Sequence, residues 1–310
     1  MKPPTAECRD YAVLLVAYGT PNRLEDVEPY LLDVRGGRPT SPALVAELTH
    51  RYAAIGGHSP LLERTREQAS ALATSLGGEI PVYVGMRHWH PYIGDVLAEI
   101  RAAGHRRLVA VPLAPHYSRL SIGAYRRKID EARDGVALGM VSAWFDHPRF
   151  LDAVAEKIEG GLRRFEFDAR DQVPIIFTAH SLPHRILADG DPYPGQLAAS
   201  IAGVLRRVGN RPARLAYQSA GRSDEPWLGP DAAEVLAELA AARAPNVLLC
   251  PIGFVSDHLE VLYDVDIEYQ ALARRLGIRL ERTESLNSSP LLIEALADLV
   301  RATAQATEWP

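Results

Sequence analysis

One imidazole and a run of carboxylates carry the clearest chemistry in this chain. His180 closes the apolar run Ile-Ile-Phe-Thr-Ala, and Glu260, Asp264 and Glu268 recur at i, i+4 and i+8 after Asp257-His258-Leu259. On a helix starting near Ser256 that spacing stacks three carboxylates on one face. Three like charges in a row are destabilising unless a cation or a water-filled cleft compensates them. An imidazole with carboxylates is a borderline-to-hard ligand set, suited to iron, zinc or magnesium. A plain solvated helix face is the alternative. His180 at a strand end weighs against it.

A second group lies in the first half. Tyr18 is a phenol at a strand terminus beside Gly19, where backbone can approach a ligand closely; a packing role competes with a ligand role. His88 and His90 alternate along an extended stretch and point oppositely, so they are not a metal pair. His116 and His258 follow strands and read as satisfied core histidines. Arg35-Gly-Gly-Arg38, with the stretch from His50-Arg51-Tyr52 to Gly56-Gly57-His58-Ser59-Pro60, forms a cationic, glycine-rich entry. Guanidinium, hydroxyl and backbone N–H donors of this kind suit an anionic group. Tyr125-Arg126-Arg127-Lys128 adds positive charge or is a basic surface helix. No P-loop, dinucleotide fingerprint or nucleophile elbow occurs.

These residues need a frame, and the apolar pattern supplies one. Short β-rich runs alternate with helical segments, which predicts an α/β fold with parallel strands. Strands are expected at Ala12–Ala17, Pro81–Gly85, Leu108–Leu113 and Gly139–Trp144, then at Pro174–Thr178, Arg214–Gln218, Val247–Ile252 and Ile278–Arg282. Helices are expected at Pro42–Ala54, Leu62–Leu76, Ile93–Ala103, Ala124–Arg133, Phe150–Leu162, Gly195–Arg207, Ala232–Ala242, Ile267–Leu276 and Leu291–Ala304. The halves share a pattern, so the chain reads as two similar Rossmann-like lobes, 1–162 and 163–310, each a four-stranded parallel sheet flanked by helices. Ligands collect at the carboxyl ends of such strands. Tyr18, Arg87–His88, His116–Ser118, His180–Ser181, Gln218–Ser219 and Asp257–Glu260 all fall there, so the active site is expected in a cleft between the lobes.

Composition removes other classes. With 34 basic against 39 acidic residues, net charge −5, nothing favours a nucleic-acid partner. Cys8 and Cys250 are the only thiols, too few for a disulfide framework or a four-thiolate cluster. That thiol usage and the brevity of Ala12–Ala17 lead us to expect a soluble, cytoplasmic protein.

The chain resembles the ferrochelatases from about Val13 to Leu296. The matching blocks are Ala17-Tyr18-Gly19-Thr20-Pro21, Arg51-Tyr52 with Gly56 to Leu61, Gly85-Met86-Arg87-His88-Trp89-His90-Pro91, and Ala114-Pro115-His116-Tyr117-Ser118. Further on come Ala179-His180-Ser181-Leu182-Pro183, Pro226-Trp227-Leu228-Gly229-Pro230 and Pro251 to Glu260. Each block is weak alone; their order and spacing are specific. The resemblance implies two Rossmann-like lobes and insertion of ferrous iron, as substrate, into a porphyrin. It places His180 and Glu260 at the metal-insertion centre. It makes Asp264 and Glu268 an acidic ladder that in some members holds a second hydrated divalent ion such as Mg2+. Tyr18 occupies the position where coproporphyrin-using members carry Tyr and would be a metal ligand. Arg51, Tyr52, Ser59 and Tyr125 become carboxylate binders, with Arg87, His88 and Ser118 as further substrate contacts. The expected reaction gives Fe-coproporphyrin from coproporphyrin III with release of two protons. A protoporphyrin IX ferrochelatase and a tetrapyrrole or haem carrier are the alternatives. A monomer without an iron–sulfur cluster, handing product to the next haem-pathway enzyme, completes the expectation.

Overall fold

The computed structural model describes residues 11–209, 211–221 and 225–309; Cys8 lies outside them. All eight expected strands form. β1 (Ala12–Ala17), β2 (Val82–Met86), β3 (Arg107–Pro112) and β4 (Ala137–Met140) make one parallel sheet in the order β2-β1-β3-β4. β5 (Ile175–His180), β6 (Ala213–Gln218), β7 (Asn246–Cys250) and β8 (Arg279–Arg282) repeat it as β6-β5-β7-β8. β1 and β5 are covered on both faces, which is why they read as continuous apolar runs. Each is also where the strand order reverses. The carboxyl end of a strand at such a switch point is where an open α/β sheet leaves room for a ligand. Tyr18 follows β1, and His180 ends β5.

Ten α-helices flank the sheets among the described residues: α1 (Val27–Val34), α2 (Pro42–Ala54), α3 (Leu61–Ser75), α4 (Ile93–Ala102), α5 (Ile122–Ala132), α6 (Pro148–Leu162), α7 (Tyr193–Val208), α8 (Ala232–Ala241), α9 (Gln270–Leu276) and α10 (Pro290–Ala306). Local chemistry sets their starts. Ser41 Oγ accepts the Leu44 N–H at 3.3 Å ahead of Pro42, and Asp231 with Glu234 closes a capping box on α8. Amphipathic faces then bury Leu14, Val16, Leu97, Ile100 and Ile129 in one core, and Ile176, Val235, Leu236, Leu249 and Val265 in the other. Each such side chain contributes about 1.5–3 kcal/mol. No helix among the described residues is long and apolar enough to cross a membrane.

The lobe boundaries expected at residue 162 need correction. One compact unit runs to Trp144 and takes back 287–310; the other is Phe145–Leu286. Packing explains the exchange of closing helices. α6 belongs with the second sheet: a methyl on Gly161 would meet Leu248 at 2.7 Å, one on Gly203 of α7 would meet Leu151 at 2.7 Å, and Arg207 pairs with Asp152. α10 belongs with the first: Arg301 donates to the Ser75 carbonyl at 2.7 Å, and Thr307 packs over Gly139. β4 also stops short of the expected Trp144, whose indole N–H instead donates to Pro112 O at 3.0 Å from a buried site.

One glycine is dictated by close approach. A Cβ on Gly253 would lie 2.6 Å from Ala179 Cβ and 2.8 Å from Ala179 Cα, beside the residue before His180. The Gly253 N–H donates to Thr178 O at 3.1 Å, so the two segments cannot part without losing that bond. Gly253→Ala is expected to destabilise the protein by about 1–3 kcal/mol. An unchanged urea midpoint would refute the constraint.

Candidate active site

In the first unit, the end of β1 lies against the end of β2. The ladder runs past the strands: Arg87 N–H donates to Ala17 O at 3.0 Å and His88 N–H to Tyr18 O at 2.9 Å. Gly19 makes this possible, since at φ +94° a Cβ would strike the Trp89 nitrogen at 2.9 Å. Tyr18 is left 42% exposed, its ring 4.7 Å from that of His88 and 5.9 Å from the Arg87 guanidinium. Arg87 is steadied by a 3.1 Å bond to Leu120 O. His88 Nδ1 meets Asp33 Oδ1 at 2.6 Å. Of the expected carboxylate binders, Arg51 keeps a partly exposed guanidinium, 3.2 Å from Glu47.

Four other expected contacts are more buried than a surface binder would be. Tyr52 and Tyr125 are 2% and 5% exposed, Tyr125 within the apolar core, where burial pushes its phenol pKa up. Ser118 is buried and accepts the Leu120 N–H at 3.2 Å, which shapes the turn into α5. Ser59, 6% exposed, accepts the Leu61 N–H at 3.3 Å at the start of α3. Aromatic bodies and turn hydroxyls were claimed by packing and backbone donors before any ligand. A groove of about 500 Å³ opens beside Ser59, lined also by Asn22, His58, Glu63 and Arg66, and not by Tyr18. Trp89 and Ile122 are buried in the core.

In the second unit the chemistry is concentrated. His180 stands in register with Gln218 of β6, and Tyr193 OH donates to its carbonyl at 3.0 Å. Its Nδ1 meets the Ser181 carbonyl, which only accepts, so Nδ1 carries hydrogen and Nε2 is the nitrogen offered to Glu260 Oε1, 3.4 Å away. On the other side, His258 Nε2 lies 3.7 Å from Glu260 Oε2 while its Nδ1 donates to Ser256 O at 3.0 Å. Glu260 therefore sits between two imidazoles, each held by a backbone carbonyl. Burial disfavours both charges at the His180–Glu260 contact, yet their mutual attraction wins. His180 is pushed up to about 9, and Glu260 is held well below the usual carboxylate range. Glu260 Oε2 and Gln218 Oε1 are buried without a hydrogen-bond partner.

The acidic ladder is not laid out as its spacing suggests. Glu260–Tyr269 winds as a π-helix, with the Gln270 N–H reaching back to Val265 O, so each turn holds more than the α-helix's roughly 3.6 residues. Asp264 is buried and accepts the Ser219 hydroxyl at 2.5 Å; Glu268 is exposed. Ser219 holds φ +58°, a left-handed strain of the kind that collects at functional sites. Among the described residues no three His, Cys, Asp or Glu side chains converge as a preformed metal cage. His258 is the residue that sequence reasoning dismissed, although its place two positions before Glu260 was a usable signal. Arg282 was missed too: it grips Asp266 through bonds of 2.7 and 2.9 Å and reaches Asp257 at 3.5 Å, pinning both flanks of Glu260.

The family model described as Ferrochelatase matches residues 10–304. A ferrochelatase of Herpetosiphon aurantiacus is 46% identical over 297 residues, covering 93% of this chain and 97% of the relative. A coproporphyrin III ferrochelatase of Bacillus pumilus is 36% identical, covering 95% and 97%. In fold the chain is similar to SirB from Bacillus subtilis with Fe3+, at TM-score 0.61 and 12% identity, over 95% of this chain and 96% of that one. With sequence matches that span nearly its whole length, the chain belongs to the ferrochelatase family.

Proposed function

We propose that this ferrochelatase takes coproporphyrin III as its porphyrin, that His180 and Glu260 carry the insertion step, and that Tyr18 is a ligand for the incoming iron. The observation that carries the substrate reading is Tyr18: a phenol, 42% exposed, at the carboxyl end of β1. The relative from Bacillus pumilus, named for coproporphyrin III, supports it. So do Arg35, Arg38 and Arg51, three guanidinium groups that follow β1 along the chain. Coproporphyrin carries four propionates where protoporphyrin carries two, and guanidinium groups suit carboxylates.

Metallation requires the ring to lose two pyrrole protons and ferrous iron to shed water. Nε2 of His180 takes a pyrrole proton once its own has moved to Glu260, which relays it outward. Glu260 Oε2, which has no hydrogen-bond partner, supplies a hard oxygen to the cation as water leaves. Gln218, with an unused carbonyl oxygen beside it, lowers the cost of the transient charge.

The substrate reading is tested by rates with ferrous iron on the two porphyrins side by side. We expect kcat/KM to favour coproporphyrin III by about tenfold or more, equivalent to about 1.4 kcal/mol. Equal rates, or a preference for protoporphyrin IX, would overturn it. Stoichiometric binding without turnover would favour a carrier.

A further inference from the structure

We infer that Asp33 is a positioning residue for Tyr18's surroundings: its carboxylate accepts the Nδ1–H of His88 and leaves Nε2 as the acceptor nitrogen of a ring packed on Tyr18. Three elements meet to make this contact. β1 and β2 bring Tyr18 and His88 together through the 2.9 Å bond between His88 N–H and Tyr18 O, and α1 delivers Asp33 near its carboxyl end. The imidazole is enclosed, its side chain 8% exposed, while Asp33 keeps 37% of its own. An ionised carboxylate can only accept, so the 2.6 Å contact assigns the hydrogen to Nδ1. A neutral ring with hydrogen on Nδ1 has its lone pair on Nε2.

The other histidines of the chain's sites show what the alternative would be. His180 and His258 have Nδ1 fixed by backbone carbonyls, which mutation cannot remove. His88 alone among these three has its tautomer set by a side chain. Such outer partners orient an imidazole and raise the basicity of its far nitrogen, and their loss costs about 10–100-fold in activity or metal affinity. The tilt of 54° between the His88 and Tyr18 rings puts this nitrogen's ring directly against the exposed phenol. The inference rests on the reading that Tyr18 meets the iron or the porphyrin.

The test uses protein labelled with 15N-histidine and long-range proton–nitrogen spectra, alongside iron-insertion kinetics. Wild-type His88 is expected as the Nδ1–H tautomer. Asp33→Ala, a truncation at a partly exposed position, should shift it towards Nε2–H and lower kcat about tenfold or more with KM for the porphyrin unchanged. Asp33→Asn, whose carbonyl oxygen can still accept, should keep the tautomer and recover most of kcat. An unchanged tautomer in Asp33→Ala overturns the role, as does a changed tautomer with wild-type kcat, or an Asn variant no better than Ala. A Tyr18→Phe variant with wild-type kcat would instead overturn the reading of Tyr18 on which the role depends, whatever the tautomer of His88.

Discussion

His180→Ala is expected to lower kcat for iron insertion by about a thousandfold while porphyrin binding persists. The side chain combines three properties, the first of which His258, the other imidazole beside Glu260, lacks. It ends β5 at the switch point of its sheet, its Nδ1 is committed to the Ser181 carbonyl, and its Nε2 lies 3.4 Å from Glu260. Alanine removes the proton acceptor and leaves the Glu260 charge with only His258, at 3.7 Å, to compensate it. The strand itself should survive, because Ile175 to Ala179 remain buried and the bond from Gly253 is to Thr178. Porphyrin binding measured by fluorescence titration therefore separates chemistry from folding. Wild-type turnover in the variant would refute the role, and loss of porphyrin affinity with turnover per bound complex intact would recast His180 as a binding group.

The strands were legible because parallel strands buried on both faces are written as unbroken apolar runs, and β1 was read to the residue. What the pattern hid follows from competition between local and distant partners. α1 escaped notice because Pro29 reads as a breaker, yet at the third helical position the missing N–H would have had no partner anyway. With α1 went Asp33. The exchange of α6 and α10 between the units depends on glycine-to-leucine fits such as Gly161 on Leu248, which no periodicity encodes. The i, i+4, i+8 spacing assumed α-helical winding; in the π-helix Asp264 turns to Ser219 and Glu268 to solvent. His180 and Glu260 could be named together because strand ends and carboxylate rows are local signals. From sequence His258 and His116 both read as core histidines, although His258 stands two positions before Glu260. The structure separates them: His116 is sealed in with its pKa pushed down to about 3 by burial, while His258 faces Glu260.

Glu260→Gln decides how the pair shares its work. In the wild type, burial works to lower the pKa of His180, and the charge and hydrogen bond of Glu260 overcome it, giving about 9. Removing that charge while keeping the shape should bring His180 down by more than a unit, read directly in a histidine NMR titration. The stability consequence has a definite sign. A histidine pKa raised from 6.5 to about 9 contributes stability that is fully present below 6.5 and lost as pH rises through about 9. Glu260, depressed from 4.5, contributes above that value and loses it in acid. Denaturant midpoints of the wild type should therefore fall between pH 6.5 and 9 more steeply than those of the variant. For catalysis the two roles of Glu260 pull in opposite directions. If it served only to tune His180, the variant would hold a neutral imidazole at pH 7 and insert iron faster. With a carboxylate oxygen needed for the cation and for proton relay, kcat should instead fall by about a hundredfold even though the base is ready. A faster variant would leave Glu260 as an electrostatic modulator and move the hard-oxygen role elsewhere in the second unit.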